Sequence, residues 1–244
     1  MKKIFKEGHM ATVYVENDTA YKAYDDFYPE EWIDKEIYIH DILLEKTSLN
    51  VTKMYKTGAH EIKMPFLNQN TLDTGIDEKF DNVKLIDFVH LQTQINAYMA
   101  LELENAHVVF KRWILMSQLG KDIKNIALDV LDNLEYKNHL CHFDYQPSHV
   151  VSFEKKYFVV DWIHAKLANP ILDMASTYII LRLKSYKLAH QYLYKVIDMT
   201  DSKLEDIFKV VPLMAAIKMI ETDDIFKHKV LTTLVFDPKN KVII

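Results

Sequence analysis

The sequence predicts an α+β chain in two lobes: a small antiparallel sheet with one helix over residues 1–66, then a larger, mainly helical lobe over 67–244. Three observations point there. Runs with the period of a strand, at residues 11–16, 19–24 and 60–66, cluster near the start. Stripes with the period of a helix follow: Leu85, Phe88, Leu91, Ile95 and Met99, then Ile123, Ile126, Val130 and Leu134, all expected in the core. With 49% hydrophobic residues among 244, and only 4 glycines and 6 prolines, the chain can fill one large domain or two intimate lobes without a free linker.

Gly8 precedes the first strand pair, in which Asn17 and Asp18 supply the turn. Alternation puts Lys22 on one strand face with Ala20 and Tyr24. Pro29 suits a helix's first turn, Glu30 and Glu31 favour the positive end of its dipole, and an apolar period runs to about Leu44. Trp32, Glu36, Ile39 and Leu43 share the core-facing stripe of that helix. An unpaired charge buried there costs about 3–5 kcal/mol, so Glu36 wants a partner, and Lys22 is the candidate. Residues 67–70 read as the hinge to the helical lobe. Past Pro170, residues 171–183 are strongly apolar. Ser202 with Glu205 forms a capping-box signature before Leu204, Phe208 and Val211, and Pro212 is expected to kink or break that last helix.

Composition excludes several classes. A formal charge of −5 with scattered lysines gives no basic stripe for nucleic acid. The apolar run 210–220 is interrupted by Lys218 and is too short for a bilayer, and MKKIFKEGHM lacks the apolar segment of a signal peptide, so a cytoplasmic protein without a membrane partner is expected. Cys141 stands alone, which excludes a disulfide framework and reads as a small buried hydrophobe. The 11 histidines show no zinc-ligand spacing, and His164 reads as a solvent-exposed tip. Glu221, Asp223 and Asp224 read as solvated helix ends.

Residues 141–173 carry the chemistry. His142, Phe143 and Asp144 open a loop. Val150 and Val151, then residues 157–160, read as two strands around the charged turn Glu154, Lys155 and Lys156, a hairpin expected to bring Asp161 back beside Asp144. Two such carboxylates suit phosphoryl transfer, which needs one group to orient the attacking hydroxyl and hard oxygen ligands for magnesium on the ATP phosphates. The ordered set His142, Asp144, Pro147, Asp161, Trp162, Asn169, Pro170, Asp173 and Ala175 resembles the aminoglycoside phosphotransferase and choline kinase-like family. Its members show HGDxHPxN, then a strand ending in an IDW-like triplet, then a GNPxxDxA-like segment.

The resemblance implies a two-lobed protein kinase-like fold and an ATP-dependent phosphotransferase acting on a hydroxyl of a small molecule of the aminoglycoside or choline class. Asp144 would be the catalytic carboxylate, and Asp173 a buried brace for its loop. Gly8 and Val13 would cover the nucleotide, Lys22 held by Glu36 would meet its phosphates, and backbone at 64–67, with Met64 and Phe66, would meet adenine. Asp161 would hold the metal. His149 stands where the family has a metal-binding asparagine, and imidazole is a poor magnesium ligand. Three readings are open: Asp161 holds magnesium almost alone, His149 favours manganese, or transfer is lost and nucleotide binding kept. Two partners follow, a nucleotide and a small hydroxylated acceptor. No long activation loop separates Asp161 from Asn169, which argues against a protein substrate. The alternative to an enzyme is a kinase-shaped protein that binds nucleotide or ligand without transfer.

Overall fold

The computed structural model describes residues 3–7, 10–68, 71–73 and 82–240. In chain order the elements are β1 (Lys3–Glu7), β2 (Ala11–Glu16), β3 (Thr19–Tyr24), α1 (Glu30–Lys46), β4 (Tyr55–Gly58), β5 (Glu61–Pro65), α2 (Asn82–Ala97), α3 (Ala106–Met116), α4 (Lys121–Asp132) and β6 (His139–Cys141). The hairpin β7 (Val150–Phe153) and β8 (Lys156–Val159) follows, then β9 (Lys166–Ala168), α5 (Pro170–Lys184), α6 (Tyr186–Met199), α7 (Leu204–Ile220) and α8 (Ile225–Phe236). They form two compact units. One takes the described residues up to 73 together with Pro147–His164; the other takes 82–146 and 165–240.

In the first unit a five-stranded antiparallel sheet runs in the order β1-β2-β3-β5-β4. The β2–β3 turn works because Asn17 and Asp18 take φ of 48° and 58°, left-handed values that short polar side chains tolerate. Under the sheet, Tyr24, Tyr28, Ile33, Met54 and Ile62 form a buried cluster joined by Met64. Helix α1 faces this core through Ile33, Glu36, Ile39 and Leu43, all buried. Trp32 does not join them: it is 50% exposed. Helical side chains lean toward the amino terminus, so a residue of the first turn reaches past the core, and the Trp32 ring meets Tyr28 edge-on instead. The hairpin β7–β8 has Glu154 and Lys155 at its turn, both at positive φ.

In the second unit α7 is the central helix, packed by α3, α4, α5 and α8. It runs through Pro212 without a break, since burial of residues 210–219 outweighs the one backbone bond that proline removes, and α8 follows it as the last helix among the described residues. Its N-cap is Lys203, not Ser202, whose hydroxyl lies 3.5 Å from the Met174 sulfur. The α2 stripe buries Leu85, Phe88, Leu91 and Ile95, but the helix ends at Ala97 and Met99 is exposed. On α4 the buried positions are Ala127 and Leu131; Ile123, Ile126 and Val130, and Leu134 just past the helix, are only half-buried. Among the described residues no helix is long and apolar enough to cross a membrane.

Candidate active site

In the first unit the site grows from β3 and α1. Val13 of β2 pairs in register with Lys22, which pairs on its other side with Ile62 of β5. The Lys22 ammonium donates to both oxygens of Glu36, at 2.8 and 3.1 Å, and to Asp161 Oδ1 at 3.3 Å. The Tyr24 hydroxyl adds a 2.6 Å bond to Glu36 Oε2. Glu36 is only 1% exposed, so these donors are what let a carboxylate stay in the core. Burial pulls the Lys22 ammonium down, but Glu36 and Asp161 push it further up, and it stays charged. Burial and the Glu36 charge push the Tyr24 phenol well up, keeping it a donor.

Asp161 is presented by the end of the β7–β8 hairpin. Its φ of 68° turns the chain sharply, which aspartate accepts better than most side chains. Behind it the buried Trp162 indole donates to the Val159 carbonyl at 2.8 Å. Val160 N–H bonds the His149 carbonyl at 3.0 Å, so the two residues share one local frame. His149 is buried, with Nε2 3.6 Å from Asp161 Oδ2. Burial pushes the Asp161 carboxyl up, yet Lys22, His149 and His164 outweigh it and hold it well below the usual carboxylate range. His164 is therefore half-buried and felt by Asp161, not a solvent-exposed tip. Asn50 ties the hairpin to the rest of the unit: its amide donates to the Tyr157 carbonyl at 3.0 Å and its carbonyl accepts from Val159 N–H.

In the second unit β6 pairs with β9 and leads directly into His142, Phe143 and Asp144. Asp173, fully buried in the first turn of α5, accepts the Phe143 N–H at 2.7 Å, and Gln92 and Asn96 of α2 donate to its other oxygen at 3.1 and 3.2 Å. This is a loop brace. The Asp144 N–H reaches His142 Nδ1 at 3.2 Å. Its carboxylate accepts from Gln146 at 3.3 Å, and Gln146 accepts in turn from Lys184 at 3.0 Å. Cys141 is buried against this loop, and burial pushes its thiol far up, so it is an inert hydrophobe.

The structure thus brings Lys22, Glu36, Asp161 and His149 into one network, with Val13 in register beside Lys22. Met64 and Phe66 sit half-buried at the end of β5, where Phe66 N–H bonds the Asp18 carbonyl. Gly8, and the hinge residues 69 and 70, lie outside the described residues. Sequence reasoning assigned no site role to Tyr24, His164 or Lys218. Tyr24 shares the strand face of Lys22, which was the available clue, and Lys218 was visible only as an interruption of an apolar run.

No protein-family model matches this sequence, and no curated protein matches it. Solved structures do. Choline kinase LicA from Streptococcus pneumoniae superposes with a TM-score of 0.71 at 14% identity, covering 96% of this chain and 92% of that one. The streptomycin–ATP ternary complex of APH(2")-IIa gives 0.62 at 12% identity over 97% and 90%. Macrolide 2'-phosphotransferase MphH from Brachybacterium faecium gives 0.59 at 12% identity over 99% and 93%. The chain therefore has the kinase-like fold that choline kinase and the aminoglycoside and macrolide phosphotransferases share.

Proposed function

We propose that this chain transfers the γ-phosphate of ATP to a hydroxyl of a small molecule. The observation that carries this reading is the Lys22–Glu36–Asp161 network: a cation fixed between a buried carboxylate and one kept ionised. A lysine held this way offers a fixed positive charge to nucleotide phosphates without a conformational search. Val13 and Gly8 would cover the phosphates, and backbone near Met64 and Phe66 would meet the base. Asp144, whose loop is braced through Asp173, would accept the proton of the acceptor hydroxyl as the oxygen attacks phosphorus and ADP leaves. APH(2")-IIa was solved with ATP and streptomycin, which supports a nucleotide and a hydroxylated acceptor as the two partners.

A divalent cation fits in part. Asp161 supplies an ionised oxygen donor, while His149 supplies a nitrogen that suits magnesium poorly and manganese better. When bound, magnesium or manganese would neutralise phosphate charge; Asp161 would hold it, with His149 beside. The second reading, nucleotide binding without transfer, is favoured by His149 itself. Titrating the purified protein with ATP by calorimetry, with magnesium, manganese or EDTA, should show metal-dependent binding that Asp161→Ala loses. A screen of choline, aminoglycosides and macrolides should show acceptor-dependent ADP release that Asp144→Ala abolishes while ATP affinity stays near wild type. Release that survives Asp144→Ala excludes the assigned role; binding without release under any acceptor favours the second reading.

A further inference from the structure

Phe143 immediately precedes Asp144 and holds a φ of 62°, a left-handed backbone that strains a bulky side chain. Glycine would adopt it freely. Phenylalanine stays because its ring is buried, edge-on to Phe110 at 5.1 Å. The peptide joining residues 143 and 144 is then gripped from two helices: its carbonyl accepts from the Ser176 hydroxyl of α5 at 2.7 Å and from the Lys218 ammonium of α7 at 2.8 Å. Both lone pairs of that oxygen are filled by side chains, which fixes the plane of the peptide from which Asp144 departs.

We propose, resting on the phosphotransferase reading, that Lys218 is a positioning residue for Asp144, clamping the Phe143–Asp144 peptide from the centre of the helical unit. Lys218 is 9% exposed and lies among apolar residues of α7. A lysine kept only for stability needs a counter-charge, and Glu221 supplies one at 2.7 Å. Lys218 directs a further donor at the strained peptide. The charges of Glu221, Asp144 and Asp173 outweigh burial and keep it protonated, so the clamp holds through the neutral range. Misplacing a reacting group by about 1 Å can cost a hundredfold in rate, so a clamp on this peptide acts on turnover more than on nucleotide affinity.

The test uses the full chain, wild type against Lys218→Met and Lys218→Arg, and reads ADP release from magnesium ATP with choline, with kanamycin and with no added acceptor. Amide exchange at Phe143 and Asp144 is read in parallel. Lys218→Met should lower kcat about 10- to 100-fold, leave KM for ATP within about twofold and speed those amides about tenfold or more; Lys218→Arg, which keeps a charged donor, should recover much of kcat. An unchanged kcat with unchanged exchange in a folded Lys218→Met protein overturns the proposal, as does an equal fall for methionine and arginine. Should Lys218→Met not fold, Ser176→Ala removes the other bond to the same carbonyl and should lower kcat about 3- to 10-fold at constant KM; no change there overturns the clamp. A wild type that releases no ADP under any condition strikes the phosphotransferase reading alone, and exchange at the two amides then decides the clamp.

Discussion

Glu36 shows how much one residue depends on its donors. It is 1% exposed, and Lys22 and Tyr24 supply the bonds that water would otherwise make. Lys22→Met removes the cation and leaves the carboxylate stranded, for an expected loss of about 3–5 kcal/mol in urea unfolding. Adding Glu36→Gln should recover part of it, because the stranded charge goes too; a double variant as unstable as the sum of the singles would deny the coupling. Phe143 poses the opposite balance. Phe143→Gly relieves about 1–2 kcal/mol of backbone strain. It also deletes a buried ring whose truncation costs about 3–5 kcal/mol, so a net loss near 2 kcal/mol is expected. Asp161 adds a pH dependence. Its folded carboxyl titrates below the usual range, so as pH falls through about 4 the unfolded chain takes up protons that the folded chain does not. The stability it contributes is present above that pH and lost below it. Asp161→Asn should show a shallower acid limb of unfolding free energy than wild type; parallel limbs would remove Asp161 from the acid sensitivity.

Elements were legible where a residue's chemistry and its neighbours agreed. The β2–β3 hairpin follows from alternation plus Asn17 and Asp18, which accept positive φ, and the Lys22–Glu36 pair follows from a carboxylate on a buried stripe. The strands β1 and β4 were not seen. All four residues of β4 are exposed and it lies at the sheet edge, so no buried face writes a period into its sequence. Pro212 misled because propensity is local while α7 is held by helices on several sides. The donors around Asp144 were illegible for a related reason: Lys218, Ser176 and Lys184 lie on helices far along the chain, and only packing brings them together. Caps are a part of these helices that can be tested singly. The Asp224 carboxylate accepts from Phe226 and Lys227 N–H at the start of α8. Asp224→Ala should fray that end, read as faster exchange at both amides. An unchanged exchange rate would mean the first turn of α8 is held by packing alone.

At the scale of the whole molecule, chain order and packing part company. The strand and helix periods suggest a division near residue 66, but the compact unit built on the amino-terminal sheet also holds Pro147–His164, which returns from within the helical half of the sequence. Its ties are specific: Leu72 N–H to the Val150 carbonyl, Asn50 to both Tyr157 and Val159, and the turn after Asp161 packed on α1. Functionally this puts Asp161 and His149 in one compact unit with Lys22 and Glu36. Proteins open in cooperative units that share their contacts, so β7 and β8 should share the stability of the sheet. Ile62 is fully buried beneath that sheet, and Ile62→Ala should cost about 2–5 kcal/mol there. In native-state hydrogen exchange the amides of β7 and β8 are then expected to accelerate by the same factor as those of β2, β3 and β5, while the slowest amides of α5 and α7 change less. If the hairpin instead follows α5 and α7, then Pro147–His164 is coupled energetically to the helical unit, and Asp161 would owe its stability to the helices instead of the sheet.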